Sequence, residues 1–222
     1  MIHKTRGIVF RFTRYGETSI IVSIFTEAFG IQSYIINGVR SKSSKNKIAL
    51  YQPLTLLNLV VYHREHANLE RIKELHCFYP YQSLTVDIKK STIAMFITEL
   101  LNKTVKEESA AGSLFEFLVD ALISIDKLGK NEENAHLIFM IKLSRYLGFG
   151  PQFSNEVLGG RVADEKTELI LQQLLTADFD NALLITNEQR RNLLDLLLKF
   201  YAEHLENFGE LKSVQVLRDV LT

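Results

Sequence analysis

The chain has one cysteine, Cys77, three prolines and no tryptophan in 222 residues. A single thiol cannot close an intrachain disulfide or supply a four-cysteine zinc site. Such scarcity suits a reducing compartment. No run reaches the ~18 apolar residues of a membrane-spanning helix. Met1 to Arg6 carries cations with no apolar stretch behind them, so no secretory leader is expected. Glycine is sparse, at 11, and no repeat or low-complexity tract occurs. Net charge is missing as well: 26 Lys+Arg stand against 26 Asp+Glu. That balance argues against a protein coated by DNA over its whole surface, and against an acidic disordered chain. The signatures G-x-x-x-x-G-K-[ST], G-x-G-x-x-G, H-E-x-x-H and G-x-S-x-G are all absent. The acidic pairs Glu107-Glu108, Glu132-Glu133 and Asp164-Glu165 read as solvated charges at helix ends. Neither an enzyme nor a cofactor is expected.

An apolar fraction of 46% and a charged fraction of 23% describe an ordinary globular chain, long enough for one large or two small domains. The zero net charge conceals a division. Residues 1–80 hold eleven Lys/Arg and five Asp/Glu, net +6, and residues 81–222 carry the opposing −6. Such asymmetry suggests that the basic half meets a polyanion.

Hydrophobic periodicity divides the chain at the same place. Lys4 to Arg14 alternates, with Ile8, Phe10 and Phe12 expected on one face. Thr18 to Thr26, Ile31 to Ile36 and Leu54 to Tyr62 are β-rich, and the last lacks clean alternation, as a strand buried on both faces does. Asn68 to His76 is ambiguous. Leu69, Ile72 and Leu75 recur every third residue, yet the position after four strands favours a fifth that closes a small barrel. After Pro80 the period becomes helical: Ile93, Phe96, Ile97, Leu100 and Leu101, then Leu114 to Ile125, then Leu137 to Leu147, which Gly148-Phe149-Gly150-Pro151 stops. Residues 152–164 look irregular. A short helix fits 165–176, Thr186 and Gln189 form a capping box for a long one, and Ser213 to Leu221 ends the chain as a last helix. Strands first and helices second make an α+β chain with domains at 1–80 and 81–222.

Two groupings carry candidate chemistry. His63, His66, His76 and Cys77 have partial metal-ligand spacing, but their plainer reading is polar residues in a strand connection and at a strand end, so no metal is expected. Arg40, Lys42, Lys45 and Lys47 fall within eight residues among serines and Asn46, with no acid. Four cations that each neutralise a phosphate would release counterions and make binding steeply salt-dependent. A solvated loop, basic by chance, is the alternative. Lys4, Arg6, Arg11 and Arg14 on the first strand tilt the balance, since a basic patch on a small barrel is a recurrent nucleic-acid surface. Of the aromatics Phe12, Tyr15, Tyr34 and Tyr51, Tyr15 is the best placed to stack a base.

Gly7-Ile8-Val9, Tyr15-Gly16-Glu17, Phe25-Thr26 with Gly30, Gly38-Val39-Arg40, Gln52-Pro53, Tyr146 to Pro151, His204 and Leu211-Lys212-Ser213 occur in this order along nearly the whole chain. Together they resemble the RecO family of bacterial DNA repair and recombination mediators. The resemblance implies an N-terminal OB-fold five-stranded barrel followed by an all-helical C-terminal domain, and it resolves 68–76 towards strand. It implies binding of single- and double-stranded DNA, annealing of complementary strands, and action with RecR in loading RecA onto DNA coated by the single-stranded-DNA-binding protein SSB, whose C-terminal tail is also a partner. It places DNA contacts at Arg40, Lys42 and the cations after them, beside Arg11, Arg14 and Tyr15, in a cytoplasmic, nucleoid-associated bacterial protein without a membrane partner. One departure stands out. Many relatives carry a four-cysteine zinc site after the Gly-x-Gly-Pro element, and here 149–164 is a cysteine-free remnant in which Phe149, Phe153, Val157 and Leu158 are expected to pack instead of a metal, with Gly159-Gly160 as a turn. A basic rim at Lys142, Arg145, Arg190 or Arg191 suits the carboxylate-ended apolar tail of SSB. The alternatives are an OB-fold protein-interaction module without direct DNA binding, and an enzyme whose site the motifs do not reveal.

Overall fold

The structure, a computed structural model, describes residues 1–39, 48–64, 67–106 and 111–221. They form two compact units, Met1–Tyr81 with 105–119 and Gln82–Thr104 with 120–222.

Five strands make the first unit: β1 (Ile2–Tyr15), β2 (Ser19–Thr26), β3 (Gly30–Ile36), β4 (Leu56–Tyr62) and β5 (Arg71–Tyr79). Their order is β3-β2-β1-β4-β5, with every neighbouring pair antiparallel. The two edges meet in one parallel bridge, Tyr34 with Glu70. The Ile35 N–H donates to the Glu70 carbonyl at 3.0 Å, and the Glu70 N–H to the Ser33 carbonyl at 2.9 Å. This bridge closes the sheet into an OB-type barrel at a single point, just before β5 begins. Val9, Ile20, Val22, Ile24, Tyr34, Leu57, Leu59 and Val61 fill its interior. Gly7 sits where two side chains meet: a Cβ there would lie 2.6 Å from Ile24 Cγ2 and 2.7 Å from Leu59 Cδ1.

Residues 68–76 fall on the approach to β5 and within it, and a bulge explains their helix-like spacing. Val60 pairs with Glu74 but Val61 with Ile72, so the intervening Lys73 is extra, and Ile72 and Leu75 both reach the core although three residues apart. The expectation for β1 needs a correction of the same kind. Val9 pairs with Ile24 and Arg11 with Ser23, leaving Phe10 as the extra residue. Phe12 therefore packs on the barrel interior, whereas Phe10 stacks on Phe25 at 5.5 Å on the opposite face of the sheet. That outer face is covered by the first half of α2 (Ala111–Lys127), whose Phe115 lies 6.1 Å from Phe25.

The second unit is helical: α1 (Ile88–Thr104), the end of α2, α3 (Ala135–Tyr146), α4 (Ser154–Leu158), α5 (Glu165–Thr176), α6 (Asn187–His204) and α7 (Ser213–Val220). Ala135 to Ile141 is buried at every position, so α3 is the helix that the others surround. The capping box of α6 forms as the sequence suggests: Thr186 Oγ1 accepts from the Gln189 N–H at 3.3 Å, and Gln189 Oε1 from the Thr186 N–H at 2.9 Å. In the cysteine-free remnant Val157 and Leu158 are buried and Gly159 and Gly160 turn the chain at positive φ. Phe153 does not join them, being 66% exposed. Its expected place is taken by residues of α6: Phe149 meets Phe200 at 5.7 Å, Tyr201 at 5.0 Å and, stacked, His204 at 5.1 Å. Among the described residues no helix is long and apolar enough to cross a membrane.

Candidate nucleic-acid interface

A cation can meet a phosphate only if no carboxylate or carbonyl has claimed it, so the arginines are best sorted by what they touch. Arg11 and Arg14 project from the second half of β1 and are exposed, and Tyr15 follows them, 51% exposed, before the turn at Gly16. Neither guanidinium has a partner among the described residues. Arg64 and Arg71, at the two sides of the β4–β5 connection, are likewise exposed and unpaired there. Sequence reasoning passed over this pair because Arg71 falls inside the ambiguous stretch and three residues of mixed character separate Arg64 from it. Lys4 is exposed on the first half of β1.

Arg6 departs from the expected basic patch. Its Nε donates to Glu27 Oε2 at 2.9 Å, its Nη2 donates to Glu27 Oε1 at 2.8 Å and to Glu116, and its guanidinium lies 5.2 Å from the centre of the Phe115 ring. The arginine holds the Glu27 carboxyl below the usual range, and it fastens the start of α2 to the barrel. Tyr34 and Tyr51 are also withdrawn as stacking candidates. Both are in the core, and burial pushes the Tyr51 hydroxyl up to about 12. Arg40, Lys42, Lys45 and Lys47 lie outside the described residues.

The suggested rim of the helical unit is dispersed. Lys142 pairs with Asp178, and Arg145 donates to the Leu175 carbonyl. Arg190 is only 8% exposed and donates to Asn134 Oδ1 at 3.0 Å, Asn187 Oδ1 at 2.8 Å, the Leu221 carbonyl at 2.8 Å and the Ile185 carbonyl at 3.1 Å. It is an internal strut. Arg191 is exposed and, of the four, alone makes no such bond among the described residues.

The histidine grouping is not convergent. His63 Nδ1 approaches Glu70 Oε1 at 2.8 Å and its ring stacks on Phe29 at 3.9 Å, while His76 Nε2 meets Asn58 Nδ2 at 3.0 Å. His66 lies outside the described residues, and among those described no cluster of three or more His, Cys, Asp or Glu side chains could hold a metal. Ser83 Oγ lies 2.6 Å from the Lys90 amine, a spacing that a nucleophile and its base would also have. Here the ammonium donates also to the backbone oxygens of Asp126, at 2.8 Å, and Leu128. All three protons are placed, and no lone pair remains to take one from the hydroxyl. The Asp126 carboxylate accepts in turn from the N–H groups of Gln82, Ser83 and Leu84, which makes the group a structural knot.

A five-stranded antiparallel barrel followed by a helical unit is the architecture of an α+β protein with an N-terminal OB fold. Comparison with known families gives it a place. Residues 1–81 match the family model described as Recombination protein O N terminal, and residues 86–168 match that described as Recombination protein O C terminal. The chain is 35% identical to the DNA repair protein RecO of Flavobacterium psychrophilum over 237 aligned residues, covering 99% of each chain. It is 31% identical to the DNA repair protein RecO of Phocaeicola vulgatus over 241, covering both completely. The chain belongs to the RecO family, and its role is in DNA repair.

Proposed function

We infer that the protein is a non-enzymatic recombination mediator: it binds single- and double-stranded DNA, anneals complementary strands and, with RecR, helps to load RecA onto SSB-coated DNA. The observation that carries this reading is the set of unpaired, exposed arginines on the barrel, with Arg11, Arg14 and the aromatic Tyr15 all in the second half of one strand. Annealing requires no covalent chemistry. It requires that two phosphate backbones be neutralised together, so that base pairing can supply the specificity. The segment holding Arg40, Lys42, Lys45 and Lys47 adds four cations to the same half of the chain. In the helical unit, Arg191 is exposed and without a partner among the described residues, which leaves it available to the carboxylates of the SSB tail.

A strand-annealing assay on SSB-coated oligonucleotides, with and without RecR, tests the mediator role; inactivity in both conditions overturns it. In the same protein, replacing Arg40, Lys42, Lys45 and Lys47 together by alanine should weaken DNA binding and flatten the log K against log salt slope by up to ~0.7 per contact for single strands. An unchanged slope removes those four cations from the interface, and retention of DNA only by a partner protein favours the interaction-module alternative.

A further inference from the structure

Between β4 and β5, Tyr62, Arg64, Ala67, Leu69, Glu70 and Arg71 line a cavity of about 520 Å³. We propose that this cavity takes one nucleotide of single-stranded DNA, its base against Tyr62 and its phosphate between Arg64 and Arg71, as a contact separate from Arg11, Arg14 and the basic segment 40–47.

The composition of the cavity fits that occupant better than a neutral or cationic one. Tyr62 and Arg71 are direct cross-strand partners, which places their Cβ atoms about 5 Å apart on one face of the sheet. Tyr62 is 42% exposed and Leu69 40%, so an aromatic and an aliphatic wall stand open to solvent beside two guanidiniums with no partner among the described residues. A base offers a π-face whatever its identity, and the phosphodiester offers an anion to the adjoining arginines. The one acid in the lining does not oppose this. The Glu70 side chain is 1% exposed, and its Oε1 is turned to the Arg64 backbone N–H at 2.8 Å and to His63 Nδ1 at 2.8 Å. Glu70 thereby fixes the backbone that carries Arg64, and it acts on the cavity as a positioning residue.

The geometry of β1 separates this contact from the other. Ile2, which pairs with Tyr62, lies twelve residues before Arg14, about 40 Å along the strand at ~3.3 Å per residue. The two contacts therefore lie at opposite ends of β1 and can be tested apart.

The inference rests on the proposed DNA binding, and the experiment separates the two. Anisotropy is measured across a salt series with the full chain and a labelled oligonucleotide of roughly 20 nucleotides, longer than the ~4–16 spanned by one OB fold, alongside an abasic strand of equal length. Tyr62→Ala should weaken binding of the intact strand roughly 5- to 100-fold, the size of one base–aromatic stack, and leave the abasic strand nearly unaffected. Tyr62→Phe, which keeps the ring, should stay within about twofold on the same grounds. Arg64→Ala with Arg71→Ala should weaken both strands and lower the salt slope by ~1.4. Arg11→Ala with Arg14→Ala is the control for the underlying reading. If that control weakens binding while the Tyr62 and Arg64/Arg71 variants behave as the parent, the cavity is not a nucleotide site and the DNA reading stands. If Tyr62→Ala harms both strands alike, the stack is refuted. If the parent shows no salt-sensitive binding at all, both fall.

Discussion

In the barrel, Arg11, Arg14, Arg64 and Arg71 reach solvent without a partner among the described residues. In the helical unit, Arg145, Arg161, Arg190 and Arg218 are each bonded to a carbonyl, an amide or a carboxylate. The two units thus use the same side chain for opposite ends. An arginine whose donors are spent inside the protein contributes to stability and offers little to a phosphate, whereas an unengaged one contributes almost nothing to stability and is available to a polyanion. The division of formal charge, +6 against −6, understates the difference, because most described helical arginines have donors already bonded within the protein and most barrel ones do not. Arg6 and Arg191 are the crossovers: one is a barrel arginine used structurally, the other a helical arginine left free.

This contrast can be broken at the strut first. Arg190→Met should cost roughly 3 kcal/mol in chemical denaturation, since it leaves Asn134 and two buried carbonyls without a donor, and should leave the salt slope of DNA binding untouched. A slope that falls with the substitution would mean that Arg190 is an interface residue after all. Next to Arg190 lies His136, whose imidazole is pushed down to about 3 by burial and by the arginine's charge. The unfolded chain takes up that proton near the ordinary 6.5 and the folded one does not. Stability from this residue is therefore complete above pH 6.5 and declines on acidification by about 1.4 kcal/mol per unit, or about 2 kcal/mol by pH 5. Denaturation curves at the two pH values should show the loss, and His136→Leu should remove it. The smallest effects sharpen the comparison within the barrel. Arg6→Leu should lower stability by about 1 kcal/mol through loss of its hydrogen-bonded ion pairs. Arg11→Ala with Arg14→Ala should stay within about 0.5 kcal/mol while reducing the salt slope by ~1.4. Equal destabilisation by the two changes would erase the distinction between used and free cations.

Much of this architecture is legible from local pattern, because strand and helix periodicity is a property of neighbours in sequence. The helices around Ile93, Leu118 and Leu137, the Thr186–Gln189 capping box and the β-before-α order are all of this kind. Two bulges mark where local reading misleads. Each inserts a residue that changes the face of everything beyond it, so Ile8 and Phe12 lie on opposite faces and Ile72 and Leu75 on the same one. The candidate site is harder to read, because availability depends on partners far along the chain. Glu116, which occupies Arg6, is 110 residues away, and the groups that bury Arg190 come from Asn134, Ile185 and Leu221. The exposed Phe153 failed as a packing residue for a similar reason: Phe149 found its aromatic partners on α6, about fifty positions on.

The closure of the barrel has a kinetic consequence. The ladder between β1 and β4 joins segments far apart in sequence but recovers that loop entropy over seven paired positions. The seam between β3 and β5 joins residues 36 positions apart through one bridge and two backbone hydrogen bonds. Little is gained there per unit of chain ordered, so the seam is the last rung to form as the barrel folds and the first to part when it breathes. The barrel is a sheet latched at Glu70, and the residue that latches it also fixes the backbone of Arg64 beside the β4–β5 cavity.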